Sequence, residues 1–422
     1  MPSYQDSKHL LMRTGFGAPH STVKSLESMS WADAVNSIVD ANPTSLAPDP
    51  TLDESWGQFV AMTNYWLDRS REPANQLREK MVLFWHGTLC SSIQKVFHQK
   101  MMWDQNQLFR SKGLGAFDEL ILDVSRGPAM LRYLDNNKNT KDRPNDNFAR
   151  ELMELFTVGV GQYSETDVTE SARAWTGETY DDDTGVYQFR PDLHDGGSKT
   201  FLGKTGNLRG PDTINELLFG KTAGAHDVFI ARKLWTFFAY PNPNDSVVAD
   251  IAQAYRSSGL NIREAIRAIL MHPEFLSDTA RQGIAQSPLE FAVATMRHVD
   301  ISFFDMSTMW LLQGMGQNPF RPPNVAGWHQ NEAWLTESNM WAKALFISQV
   351  RWAVLKKEDL PTLEELDRGD PVQILANYLN MGPLSPEATA TLQDFAAKTT
   401  DKWHKRSGLV YLLLLTPEMM VA

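Results

Sequence analysis

At 422 residues, with 42% hydrophobic and 22% charged content, the chain is long enough for a large buried core and reads as globular. Its net charge of −11 argues against a general nucleic-acid or anionic-membrane binder, because phosphate affinity needs a basic surface. The single cysteine, Cys90, excludes an intramolecular disulfide framework and any multi-cysteine zinc site; beside an apolar helix it reads as a buried thiol.

The first residues, MPSYQDSKHLLMRTG, lack the long apolar core of a secretory leader, which implies a cytoplasmic protein, or an exported one whose leader has been trimmed. His9–Gly17 pairs a short helical start with a Gly-rich turn, and His9, Arg13 and His20 read as structural groups bonding nearby backbone. Ser30 with Asp33 caps a helix through Val39. Further helices are predicted over Glu54–Ser70 and Pro73–Ser91, the second burying Leu77, Met81, Phe84 and Trp85 and carrying His86 beside that face. Two short helices divided at Gly127-Pro128 follow, and the polar stretch Asn136–Asn145 is the candidate mobile loop.

Pro144–Gly177 is the densest stretch of carboxylates and helix punctuation. Phe148, Leu152, Leu155 and Phe156 share one helical face between a start at Pro144-Asn145 and a stop at Gly159 and Gly161. Glu151 borders that face and Glu154 lies one turn on, so Glu151 is expected to be the less exposed and to have a cationic or histidine partner. A second helix starts at Ser164 with Asp167 in a capping-box position, and Asp167 and Glu170 form another acidic pair off the Val168–Ala172–Trp175 stripe. Four carboxylates on two short helices suit acid/base chemistry or, together with His86, a hard divalent ion such as magnesium or manganese; they suit simple capping and pairing with arginine equally.

Val186–Arg190 and Lys199–Leu202 alternate as strands of one small β-hairpin near residues 180–203, whose loop carries His194 and Asp195. A carboxylate can orient a histidine and Lys199 can hold an anion, or the loop bonds only to itself. DDDTG lacks the alternating acids and terminal Glu of a calcium loop, and GGSKT lacks the spacing of a phosphate loop. The rest is helical. Ala225–Tyr240 turns Phe229, Leu234, Trp235 and Phe238 inward, with Arg232 and Lys233 outside. Asn261, Ser287-Pro288 and Ser385-Pro386 start later helices. Arg321-Pro322-Pro323-Asn324 is stiff and extended, after which Trp328, His329 and Trp334 form an aromatic wall able to bind a ligand or plug the bundle. Arg321, Asn324, Trp328, Trp334 and Lys199 are the candidate ligand-binding residues. The run Gly408–Thr416 is too short to span a bilayer and reads as a buried terminal helix.

The blocks His9–Gly17, FWHGT (Phe84–Thr88), NDNFARELMELFTVGVGQYSETDVTESARAWTG, HDGGSKTFLG (His194–Gly203), IARKLWTFF (Ile230–Phe238) and RPPNVAGWHQNEAW (Arg321–Trp334) resemble the bacterial domain of unknown function 1800 family over most of the chain. The resemblance implies a mostly helical bacterial protein. The family often has a second histidine two positions after His86, where Thr88 stands here, which depletes any two-histidine metal site.

The sequence thus predicts a mainly α protein, a large multi-helix bundle with one small β-hairpin. Residues 1–356 make the main domain, and an acidic, Pro-punctuated change of composition marks 357–422 as a helical segment packed on it. Two functional readings stand. In one, the protein is an enzyme acting by hydrolysis or transfer through Glu151, Glu154, His194 and Asp195, with Asp167, Glu170 and His86 as metal ligands. In the other it is a non-catalytic scaffold or binding protein with an aromatic-lined groove for a small molecule, peptide or polysaccharide. If Glu151, the His194-Asp195 loop and the Arg321–Trp334 segment line one cavity, the enzyme is favoured.

Overall fold

The computed structural model describes residues 1–41, 50, 52, 55–182, 184–281, 283–305 and 309–420. About them the architecture is mainly α: 24 α-helices and two small antiparallel sheets of two strands each. No helix among the described residues is long and apolar enough to cross a membrane.

Helix starts follow the sequence signals. Ser30, Ser55, Ser164, Asn261, Ser287 and Ser385 each accept a backbone N–H of the first turn, satisfying a donor the helix itself leaves open. The helix expected from Glu54 runs Trp56–Arg71, and Glu54 itself lies outside the described residues, as does Asp183 of the DDDTG turn. Leu77, Met81, Phe84 and Trp85 of the Gln76–Thr88 helix are all buried, as their spacing requires.

Two hydrophobic cores organise these helices. The larger takes residues from Leu10 to Ala280 and the smaller from Leu289 to Met419. They are stitched together: Phe16, Leu67 and Leu83 enter the second core, and Phe320 returns to the first. The break between cores falls around 281–288, where Ser287 starts the Pro288–Val299 helix. The change of composition after Lys356 does not coincide with it. Phe346 and Val350 of the Glu337–Val354 helix share the second core with Leu375, Leu392 and Leu409 beyond it. A buried ion pair, Lys80 with Glu290, crosses the seam.

The hairpin expectation is corrected. Both predicted strands exist, but they do not pair with each other. β1 (Glu178–Tyr180) pairs with β2 (Tyr187–Phe189), and β3 (Lys199–Phe201) with β4 (Lys204–Gly206). Turn chemistry decides this. Asp181 closes the first hairpin by accepting the Thr184 N–H at 2.8 Å. Leu202 and Gly203, at φ 50° and 93°, make the two-residue left-handed turn that matches strand twist. The stretch Asn136–Asn145 is not free. Asn136 and Asn139 are buried, and Asn139 donates to the Ala172 carbonyl at 2.8 Å while accepting the Asn145 N–H at 2.9 Å.

Candidate functional site

The carboxylate helix starts as expected but changes geometry midway. Asn147–Glu151 is α-helical, and Leu152–Thr157 widens into a π-turn in which the N–H groups of Val158 and Gly159 both reach the Met153 carbonyl at 3.0 Å. Gly159, at φ 80°, ends it. The wider turn buries Met153 and leaves Leu155 only partly covered. Glu151 and Glu154 are both half-buried. Glu154 accepts a hydrogen bond from the Tyr163 hydroxyl at 3.3 Å. Glu151 has no hydrogen bond or ion pair among the described residues, so the expected cationic or histidine partner is absent. Arg150 is turned to Asp146 and Glu165, at 3.0 and 2.9 Å. Burial, and after it the charge of Glu154, raise the Glu151 carboxyl above its ordinary value, with Arg150 opposing.

Tyr133, which the sequence did not single out, is linked electrostatically with both Glu151 and Cys90. Burial pushes the Tyr133 hydroxyl up to about 12, helped by Cys90 and Glu151. Cys90 is itself pushed up to about 12 by burial, with Lys233 opposing. Lys233, expected outside, is half-buried; its ammonium lies 4.9 Å from the Phe229 ring centre, and burial lowers its pKa. The signal was present, since Phe229, Lys233 and Phe237 are spaced i, i+4, i+8 and so form one row on the Ala223–Phe238 helix.

The remaining acids bolt a hairpin to a helix. Asp167 caps its own helix by accepting the Ser164 N–H at 2.8 Å, and its second oxygen accepts the Leu202 N–H at 2.8 Å. Burial opposes its charge, yet these bonds hold it below the usual carboxylate range. Glu170 accepts the Thr200 N–H at 2.8 Å and pairs with Arg173 at 2.9 Å, and Arg173 reaches Asp195 at 2.7 Å. That Arg173 bond holds Asp195 below its ordinary value. Lys199, buried, donates to the Asp195 carbonyl, to the Gly197 carbonyl at 3.1 Å and to Asn207 at 3.4 Å. His194 turns Nδ1 to the Thr176 carbonyl at 2.9 Å, and burial lowers its pKa.

The expected metal set does not assemble. Asp167 and Glu170 spend their oxygens on backbone and arginine. His86 is a buried strut whose Nε2 accepts the Phe320 N–H at 3.0 Å, and burial pushes it down to about 3. Among the described residues no three His, Cys, Asp or Glu side chains converge on one point.

The Arg321–Trp334 segment divides between two places. Arg321 lies over Trp56 and Phe59, at 5.1 and 5.0 Å from their ring centres, beside a groove of about 520 Å³. Asn324 is exposed, and its side chain accepts the Ala326 N–H at 2.9 Å to shape the turn into Gly327. Gly327, at φ 83°, packs so closely that a Cβ would collide with the Gly87 carbonyl. Trp328 and Trp334 then line a cleft of about 50 Å³ together with Phe84, Phe237, Gln317 and Asn331. Glu151, His194, Asp195, Arg321 and Asn324 are not among the residues lining this cleft. Its one buried acid, Glu290, is paired with Lys80 and accepts the Ser287 N–H at 2.8 Å. Gln317 is 4% exposed; its Oε1 accepts the Leu289 N–H at 2.9 Å, and its amide N–H groups have no partner among the described residues. Asn331, at φ 54°, has a buried Oδ1 with no partner among the described residues. Asn331 lies in the NEAW run the sequence had marked, but nothing local marks Gln317, which the Pro288–Val299 helix start brings in.

Fold and site together define a mainly helical protein of two joined cores with an uncharged aromatic cleft at their seam. The chain belongs to the family described as protein of unknown function (DUF1800), whose model matches residues 9–421. No curated protein and no solved structure matches it.

Proposed function

We propose that the protein binds a neutral saccharide at the Trp328–Trp334 cleft. The observation that carries this reading is the pair of unspent polar groups inside it, the Gln317 amide donors and the Asn331 Oδ1 acceptor, between aromatic walls. Sugar hydroxyls donate and accept at once, and a sugar's C–H face stacks on an aromatic ring. Glu290 is paired with Lys80, so it offers a ligand no free charge, and His329 is the other titratable side chain in the lining. Its volume of about 50 Å³ admits one hydroxyl-bearing edge, and the rest of the ligand lies across Trp328 and Gln330. Calorimetric titration with neutral and with charged oligosaccharides tests this. Trp328→Ala should weaken neutral binding about tenfold or more, as aromatic anchors do, while Trp403→Ala, exposed and outside the cleft, should not. Equal losses in both variants, or preference for charged sugars, sink the reading.

One observation favours a second reading, hydrolysis or transfer at the Glu151–Glu154 pair. Glu151 is a half-buried carboxyl with no ion-pair partner among the described residues, raised above its ordinary value, close to a second carboxylate. A carboxyl raised in this way beside a second carboxylate suits general acid/base chemistry. Glu151→Gln should then abolish turnover of a chromogenic glycoside panel while cleft binding persists; wild-type protein without turnover across the panel leaves the binding reading alone standing.

A further inference from the structure

A second cavity, of about 180 Å³, lies between the N-terminal helices and the Gln76–Thr88 helix. Leu11, Leu26, Ile38, Leu77 and Leu114 supply its aliphatic wall, Thr14, Thr22, Ser37 and Gln76 add polar groups, and Arg78 and Arg297 also line it. Arg110 meets Glu79 at 2.6 Å and Arg256 meets Asp227 at 2.6 Å, while the buried Arg13 donates to the Ala280 carbonyl at 2.5 Å. Arg78 and Arg297, both half-buried, also have no carboxylate partner among the described residues. Arg78 has no ion pair and no hydrogen bond among the described residues. Arg297 donates through Nη1 to the carbonyls of Phe16 and Gly17 at 3.0 and 3.1 Å and to Gln76 Oε1 at 2.8 Å, all neutral oxygens. Its other nitrogens have no partner among the described residues. A third cation, Arg263, donates to the carbonyl of Val39, itself a wall residue, and among the described residues it too has no carboxylate within ion-pair distance.

Such grouping has a physical cost. Burial lowers the Arg297 pKa to about 10. Arg78 is lowered too, by burial first, with Glu79 opposing and Arg263 and Arg110 adding to it. A partly desolvated guanidinium without a counter-charge is unfavourable, and a carboxylate that it can grip through two parallel N–H bonds removes the penalty. The apolar wall says what the rest of that anion is made of. A dry cavity of about 150 Å³ lined by aliphatic side chains holds benzene, so this one has room for a ring or a short branched chain with its acid group at the arginine end.

We propose that this cavity is a binding site for a small apolar carboxylate, an aromatic or short branched-chain acid, held by Arg78 and Arg297. The site is separate from the saccharide cleft, and neither reading depends on the other.

Benzoate is the probe, with benzyl alcohol as its uncharged counterpart and inorganic phosphate as the anion without an apolar body. Titrations use the full chain and follow heat and thermal midpoint. Benzoate is expected to bind at least about tenfold more tightly than benzyl alcohol, as a charge-assisted contact implies, and phosphate to leave the midpoint unchanged. Arg78→Met removes a side chain with no hydrogen bond or ion pair among the described residues, so it should fold with an unchanged circular dichroism spectrum. It should bring benzoate down to the affinity of benzyl alcohol. Ile38→Phe, on the apolar wall, fills the cavity and should abolish binding of both, which keeps the test alive if Arg78→Met does not fold. Equal affinity of the wild-type protein for benzoate and benzyl alcohol, an equal effect of phosphate, a benzoate affinity unchanged by Arg78→Met, or benzoate binding that survives Ile38→Phe overturns the proposal.

Discussion

Glu151 shows how a single position acts through its surroundings. Its carboxyl is half-buried beside Glu154, and Arg150, the adjacent cation, is held by Asp146 and Glu165. The folded protein therefore holds the Glu151 proton more tightly than the unfolded chain, above the ordinary value of 4.5. Between the two values the native state binds more protons, so the contribution to stability is fully present below pH 4.5 and is lost as pH rises through the folded value. Glu151→Gln removes the charge and keeps the shape. It is expected to raise stability at pH 7 by on the order of 1 kcal/mol or less and to change little at pH 4. Urea unfolding at both values checks this, and a loss at pH 7 would show that the carboxylate has a stabilising partner. The opposite case is Asp167, two of whose bonds run to backbone N–H groups. Its charge is part of the fold, and it is poorly suited to chemistry for that reason.

Among the elements, the turn at Gly327 controls the cleft. Its φ of 83° and its contact with the Gly87 carbonyl leave no room for a side chain, and the next residue is Trp328. Gly327→Ala should cost about 2 kcal/mol or more, from the left-handed backbone and the clash together, and should weaken cleft binding with it. Gly224 provides the comparison. It lies in the Ala223–Phe238 helix, a Cβ there meets nothing within 4 Å, and Gly224→Ala should gain about 0.5–1 kcal/mol. Denaturant midpoints of the two variants should move in opposite directions. The π-turn at Leu152–Thr157 works at the same scale: one widened turn changes which residues of the carboxylate helix are covered.

For the whole molecule, the seam between the two cores is the feature to test. Lys80 comes from the first half and Glu290 from the second, and both are buried where they meet. Removing one partner leaves an uncompensated buried charge, so Glu290→Gln should cost about 3 kcal/mol or more, whereas Lys80→Met combined with Glu290→Met should recover most of it. A double-mutant cycle in denaturant measures this directly. If the single and double variants are equally unstable, the pair does not couple the cores. The same seam forms the cleft, because Phe84 and Phe237 come from one side and Gln317, Trp328 and Trp334 from the other.

Local physics was legible along the chain. Ser30, Ser164, Ser287 and Ser385 announce helix starts because a capping side chain acts within three residues, and Leu77, Met81, Phe84 and Trp85 announce a buried face because helical spacing repeats. Family membership, a mainly helical fold and a buried Cys90 follow from such signals as well. The pairing of the β-strands was less legible, since Val186–Arg190 and Lys199–Leu202 alternate alike and only turn geometry at Asp181 and at Leu202-Gly203 decides which neighbour each takes. What tertiary structure alone decided is which polar groups remain unspent. Asp167, Glu170, Asp195 and Lys199 look as reactive in sequence as Glu151 does, but their hydrogen bonds come from segments up to 35 residues away. Gln317 and Arg78 carry no local mark at all. Their N–H groups matter because the packing of distant helices covers them, Gln317 almost wholly and Arg78 in part, without supplying a partner among the described residues, and no periodicity in the chain records that.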